Sequence, residues 1–294
     1  MRTIVRAHLV LVVLLATATA SRAGVTVKLG PAITLGVSPP RFEIALDSAS
    51  STHALRVFNF GTETLQLQGS VNAWDFDEDN QLRVVEPTER TLDQWIVINP
   101  LRFSIPPGES QTVRFSIRPK VLPAPGEYRA MIYLEQPPTL QDSLTVRGRM
   151  GVAVYAYAGN IERVGDLDVT VVSREQGPLA AFDITSRGSA HVRLSGQYAV
   201  WPVETYPGTD ATGPVEGLGE PGVAVPDSIV DAGFLPGMPV LPGDRRTLPM
   251  SLAPHLPAGD YILDINGDLS GKPLDLAVPF TIAPLDEERI TSAK

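Results

Sequence analysis

Apolar and polar residues along the chain alternate with a period of two, in short runs broken by proline, glycine and asparagine. Val113, Phe115 and Ile117 alternate with Arg114, Ser116 and Arg118, which predicts a strand with one buried face. Leu65 to Trp74 alternates at first, with Gln66 and Gln68 outward. Val37 to Ile44 reads as an edge strand that tolerates Pro39 and Pro40, and Leu55 to Asn59 is closed by Asn59-Phe60-Gly61. Further strands are predicted at Leu82 to Val85, Trp95 to Ile98, Phe103 to Ile105 and Glu127 to Glu135. In the second half, Leu167 to Val172, Ala180 to Ile184 and Val192 to Val200 supply strands, and Leu274, Leu276, Val278 and Phe280 form the closing one. Short strands at this spacing, with turn signals between them, predict an all-β protein of two immunoglobulin-like β-sandwich domains in tandem.

Two segments repeat one pattern. PGESQTVRFSIRPKVLPAPGEYRAMIYL at 107–134 and PGDRRTLPMSLAPHLPAGDYILDI at 242–265 both open on Pro-Gly-acid. Each runs through an alternating strand, then turns through prolines into Gly-acid-Tyr and a second apolar strand. The shared pattern predicts the same hairpin chemistry, and so the same sandwich type, in both halves. Pro202 to Gly243 is rich in proline and glycine and reads as a long loop with one short strand near Ser228 to Ala232.

One stretch stands apart. Asp142 to Gly159, DSLTVRGRMGVAVYAYAG, is long for a strand and nearly free of turn residues. Leu144, Val146, Met150, Val152 and Val154 share one face, with Arg147 and Arg149 on the other. It suits either an ordinary half-buried last strand or a sheet edge that pairs with another chain. Domain boundaries are expected at 37–158 and 159–285, after a lead-in at 24–36 and before a charged tail at 286–294.

Residues 1–23 read as a secretory signal: Arg2 and Arg6, the apolar run Leu9 to Leu15, and cleavage near Ala20 or Ala23. That run is too short to span a membrane, and the mature chain is expected to be exported and not membrane-spanning. The chain has no cysteine, which removes disulfides and thiolate chemistry. Its net charge of −9 argues against a nucleic-acid partner.

Catalysis finds little support. His8, His53, His191 and His255 are scattered, and no nucleophile elbow, zinc-binding HExxH or phosphate loop occurs. No cofactor or metal is expected. Glu127 and Asp260 sit in matching turns and read as turn chemistry. Asp75, Asp77, Asp79 and Glu86 have calcium-loop spacing, but Arg83 intrudes and the flanks are strands, so the DFDEDN cluster reads as a turn. Arg41 lies in the first strand of the first domain and Arg147 and Arg149 in its last. If those strands run side by side, the arginines converge near the junction as a carboxylate anchor.

The motifs Val37-Ser38-Pro39-Pro40-Arg41, Asn99-Pro100, Ile105 to Arg114, Gly126-Glu127-Tyr128-Arg129, Pro137-Pro138 and the strand ending at Tyr155 occur in one order. In these the chain resembles the periplasmic pilus-assembly chaperones of the chaperone–usher pathway, as a divergent branch. The resemblance implies two immunoglobulin-like domains set at an angle. It implies a chaperone that lends the last strand of its first domain to a pilin-like fibre subunit for delivery to an outer-membrane usher. Leu144, Val146 and Met150 would be donor residues. Arg41 would approximate the first-strand basic residue of a pair that holds the subunit's terminal carboxylate. Val152 stands where the second, a lysine, is usual, leaving Arg149 or Arg147 as substitutes. Two other readings remain: a tandem structural or adhesive protein, and a carbohydrate-binding module, which would need exposed rings at Trp74, Trp95 and Trp201.

Overall fold

The structure, a computed structural model, describes residues 35–46, 52–77, 79–137, 139–141, 144–146, 148–174 and 176–284. The expected signal segment, most of the lead-in, the tail and Arg147 lie outside the described residues. No described helix is long and apolar enough to cross a membrane.

The first sandwich contains β1 (Leu35–Ser38), β2 (Arg41–Ala45), β3 (Thr52–Asn59), β4 (Leu65–Asn72), β5 (Trp74–Phe76), β6 (Leu82–Val84), β7 (Ile96–Asn99), β8 (Arg102–Ile105), β9 (Ser110–Ile117), β10 (Gly126–Glu135), β11 (Thr139–Gln141), β12 (Leu144–Val146) and β13 (Arg149–Ala158). One sheet has the order β1-β3-β9-β7 and the facing sheet β2-β13-β10-β4-β8. Period-two alternation turns Leu55, Val57, Val113 and Phe115 of one sheet toward Ala130, Ile132, Val152 and Val154 of the other. The expected single strand Val37 to Ile44 is two. Prolines 39 and 40 cannot donate to a ladder, and between them and Ser38 the chain leaves one sheet and joins the other.

The second sandwich contains β14 (Gly165–Val172), β15 (Leu179–Ser186), β16 (Val192–Pro202), β17 (Asp231–Phe234), β18 (Pro239–Val240), β19 (Arg245–Ser251), β20 (Gly259–Leu269) and β21 (Lys272–Ile282). Sheet β14-β15-β19 faces sheet β17-β16-β20-β21 over a core that includes Phe182, Ile184, Leu194, Leu248 and Leu263. The long 202–243 segment carries β17 close to its expected place. It is pinned to the outer face of that sheet, where Tyr206 and Thr212 donate hydroxyl hydrogen bonds to buried Asp264.

The repeated segments are not hairpins. β9 and β10 belong to opposite sheets, and so do β19 and β20. What repeats is the crossover between sheets, closed each time by a tyrosine near the start of the second strand. Tyr128 donates to the Ala124 carbonyl at 3.0 Å and Tyr261 to the Pro257 carbonyl at 2.9 Å. This is the tyrosine corner of immunoglobulin-type sandwiches. Trp74 and Trp95 are buried and Trp201 half-buried, so the tryptophans form no exposed sugar-stacking platform. Asp77 accepts from the Asp79 and Gln81 amides, the Asx-turn chemistry of a tight acidic loop.

Candidate functional site

The stretch Asp142 to Gly159 is not one continuous strand: β12 and β13 are separate, joined through Gly148, whose carbonyl accepts from the Gln136 amide. β10 and β13 pair antiparallel along their whole length, from Gly126 opposite Ala158 to Glu135 opposite Arg149. Beyond them β11 and β12 extend the same ribbon, with Thr139 opposite Val146.

The other side of β13 is only half occupied. β2 runs parallel to it and pairs from Ala153 opposite Arg41 to Tyr157 opposite Ala45. The two prolines then carry the chain away to β1 in the facing sheet. From Arg149 to Val152, and along β12, no described strand pairs with this side. Among the described residues, 144–146 and 149–152 therefore present this side as a ribbon edge with no strand laid against it. Along it Val152 is buried in the core and Met150 packs half-buried against it, while Leu144 and Val146 occupy β12.

The opposite face of β10 and β13 meets the second domain. Trp74, Met131, Tyr133, Tyr155 and Tyr157 cluster with Ala190 and Leu241. Gly151 leaves the space in which Met131 lies, since a Cβ there would stand 2.8 Å from the Met131 sulfur. Within this apolar seam sit polar contacts between domains. Glu127, its side chain fully buried, accepts through Oε2 from the His191 backbone amide at 2.8 Å and from its ring Nδ1 at 2.7 Å. Arg129 lies 3.5 Å from the other carboxylate oxygen and over the Trp74 ring. Burial alone would raise the Glu127 pKa, but the hydrogen bonds and charge of His191, with the Arg129 charge, hold it below the ordinary value. Glu127 is thus an interdomain bolt, not the turn residue that its neighbours in sequence suggest. Asp260, its counterpart, is exposed and accepts from the Thr281 hydroxyl.

Two further contacts flank this bolt. Glu43 of β2 pairs with Arg41 at 3.2 Å and, from the interdomain linker, with Arg163 at 3.1 Å, and it accepts from the Tyr157 hydroxyl at 3.1 Å. Arg246 lies over the Phe76 ring at 3.7 Å and donates to the Asn80 side chain beside a cavity of about 500 Å³. The linker is held against the second domain, because the Ser189 and Ala190 amides donate to the Glu162 carbonyl.

The arginines expected to form a carboxylate anchor are dispersed. Arg41 stands opposite Ala153, four residues and roughly 13 Å along the strand from Arg149. Arg149 is bonded to Glu135 at 2.7 Å and stacked 3.3 Å over Tyr133. Arg147 lies outside the described residues. The Tyr155 hydroxyl instead receives a 3.4 Å hydrogen bond from Arg193 of the second domain. His191 and Arg193, polar positions interrupting the apolar run from Ala190 to Leu194, were the sequence signal for this junction.

No protein-family model matches the chain, and no curated protein sequence does. Among solved structures, the class 5 fimbriae chaperone CfaA is 12% identical, with 85% of this chain and 100% of that one covered and a TM-score of 0.40. The CsuC–CsuE chaperone–tip subunit complex of Acinetobacter baumannii archaic chaperone–usher pili matches at 15% identity, 83% and 98% coverage and a TM-score of 0.42. The complex of Salmonella enterica SafA pilin with the SafB chaperone matches at 12% identity, 86% and 98% coverage and a TM-score of 0.40. In structure, the chain is similar to chaperones of fimbrial and pilus assembly.

Proposed function

We propose that the chain is an exported, periplasmic assembly chaperone. It binds pilin-like fibre subunits by lending them the open edge of β12 and β13, and passes them to an outer-membrane usher. The observation that carries this reading is the unpaired side of β13 from Arg149 to Val152, continued by β12. An incoming strand would complete a ladder there, its register set by backbone pairing. Leu144, Val146 and Met150 fall on alternate sequence positions with Val152 and Val154, and on this reading they enter the client's own incomplete core. Each aliphatic chain so buried contributes about 1.5–3 kcal/mol. Residues 37–158 would be the subunit-binding domain, and residues 159–285 the domain bolted behind it.

Co-expression with a pilin-like subunit encoded beside this chain is the test. The reading predicts a soluble 1:1 complex that Val146→Asp abolishes while the free chain stays folded. A complex indifferent to that charge, or none with the unaltered chain, defeats it.

A further inference from the structure

The cavity of about 500 Å³ beside Arg246 takes one wall from each domain. Phe76, Asp77 and Asn80 line it from the turn of the β5–β6 ribbon, and Gly243 to Thr247 line it where the second domain enters β19. The walls are tied together: Arg246 Nε donates to the Asn80 side-chain oxygen, and the Asn80 amide donates to the Thr247 carbonyl at 3.2 Å.

Two opposite charges in this cavity go unpaired. Arg246 is only 6% exposed, and its Nη1 and Nη2 are closed to water and have no hydrogen-bond partner among the described residues. Asp244, two positions earlier and half-buried, has no described hydrogen bond or ion pair to its carboxylate. Burial pushes the Asp244 pKa up, and the charge of Asp75 adds to the shift, as befits a carboxylate short of a cation. The other arginine on the wall, Arg245, is already held by Asp183. Asp77 is half engaged, since its Oδ1 accepts from the Asp79 and Gln81 amides. A buried guanidinium without acceptors keeps its desolvation cost, and its pair of Nη groups is the fork that grips a carboxylate. A carboxylate two positions away suits a ligand whose own charges lie close together, and the volume suits a small molecule.

We propose that this cavity binds a small zwitterion, an α-amino acid, with its carboxylate on the Arg246 fork and its ammonium on Asp244. The guanidinium turns toward the cavity as the ligand enters, because its Nη atoms are closed to water in the free chain. Since the walls belong to different domains, the bound amino acid ties the β5–β6 ribbon to the second domain and stabilises the native junction by mass action. The site lies apart from the open edge of β13 and does not rest on strand donation.

The test needs no client: the free full chain is titrated calorimetrically with L-alanine, with N-acetyl-L-alanine, which lacks the ammonium, and with L-alaninamide, which lacks the carboxylate. L-alanine should bind saturably and raise the thermal unfolding midpoint, and each blocked form should bind about tenfold or more weakly. Asp244→Asn should weaken L-alanine about tenfold or more and leave N-acetyl-L-alanine unchanged, because that ligand has no ammonium to lose. Arg246→Lys should weaken L-alanine and leave L-alaninamide unchanged. Unfolding midpoints of the free variants check their folding, and if Arg246→Lys does not fold, Asp244→Asn decides alone. Absence of L-alanine binding overturns the site. So does N-acetyl-L-alanine binding as tightly as L-alanine, which would mean an anion site only, or L-alaninamide doing so, which would mean a cation site only.

Discussion

Removing Glu127 tests whether the two sandwiches are bolted together as described. Glu127→Ala strands the His191 ring nitrogen and its backbone amide in a seam from which both residues are excluded from water. It also takes from Arg129 its 3.5 Å partner. Breaking a buried pair by deleting one member costs about 3–5 kcal/mol, because the remaining polar groups stay desolvated. His191→Ala should cost less, since Glu127 keeps the His191 amide and Arg129, although the ring's packing on Tyr155 at 4.3 Å is lost. The double variant should cost less than the sum of the two, by a coupling of about 0.5–3 kcal/mol. Urea unfolding monitored by tryptophan fluorescence measures all three, and Trp74 in the seam reports on the junction. Additive effects, or a Glu127→Ala cost under about 1 kcal/mol, would show that the pair carries no interdomain energy and refute the bolt.

The same pair predicts an acid response. The folded Glu127 pKa lies below the ordinary 4.5, so its stabilising contribution is complete above that value and is lost as pH falls through the lower folded pKa. Glu127→Gln should flatten the acid limb of a stability-versus-pH curve below 4.5, and an unchanged limb contradicts the assignment. At the corners, Tyr128→Phe and Tyr261→Phe each remove one hydrogen bond and should each lower stability by about 0.5–1.5 kcal/mol, with neither disturbing the opposite domain's transition. Arg149→Ala removes an exposed ion pair and should change stability by only about 0–1 kcal/mol, so any large effect on subunit binding would reveal a contact made only in the complex.

The strand pattern was legible because period-two alternation is a local property. Val113, Phe115 and Ile117 are buried where the alternation puts them. The condition placed on the first and last strands, that they run side by side, is met by β2 and β13, but it came from sandwiches in general and not from the alternation. What the alternation did not carry was which sheet each run joins. The repeated Pro-Gly to Gly-acid-Tyr segments look like hairpins, but their prolines carry the chain over the sandwich edge, and the tyrosine hydroxyl closes that crossing. The placement of the site's side chains has the same limit. Position along β13 separates Arg41 from Arg149, but only the docking of the second domain determines that Arg193 comes to Tyr155 and His191 to Glu127. Contacts between residues 64 positions apart in sequence, such as Glu127 and His191, leave no periodic trace.

The open side of β13 has a direct test in amide hydrogen exchange of the free chain. Backbone groups of Ala153 to Tyr157 are laddered on both sides, whereas those of Arg149 to Val152 are laddered only toward β10. Alternate amides from Arg149 to Val152 should therefore exchange fast, while Ala153 to Tyr157 exchange slowly throughout. Uniform slow exchange from Arg149 to Tyr157 would mean that something already covers the edge, and it would contradict the account.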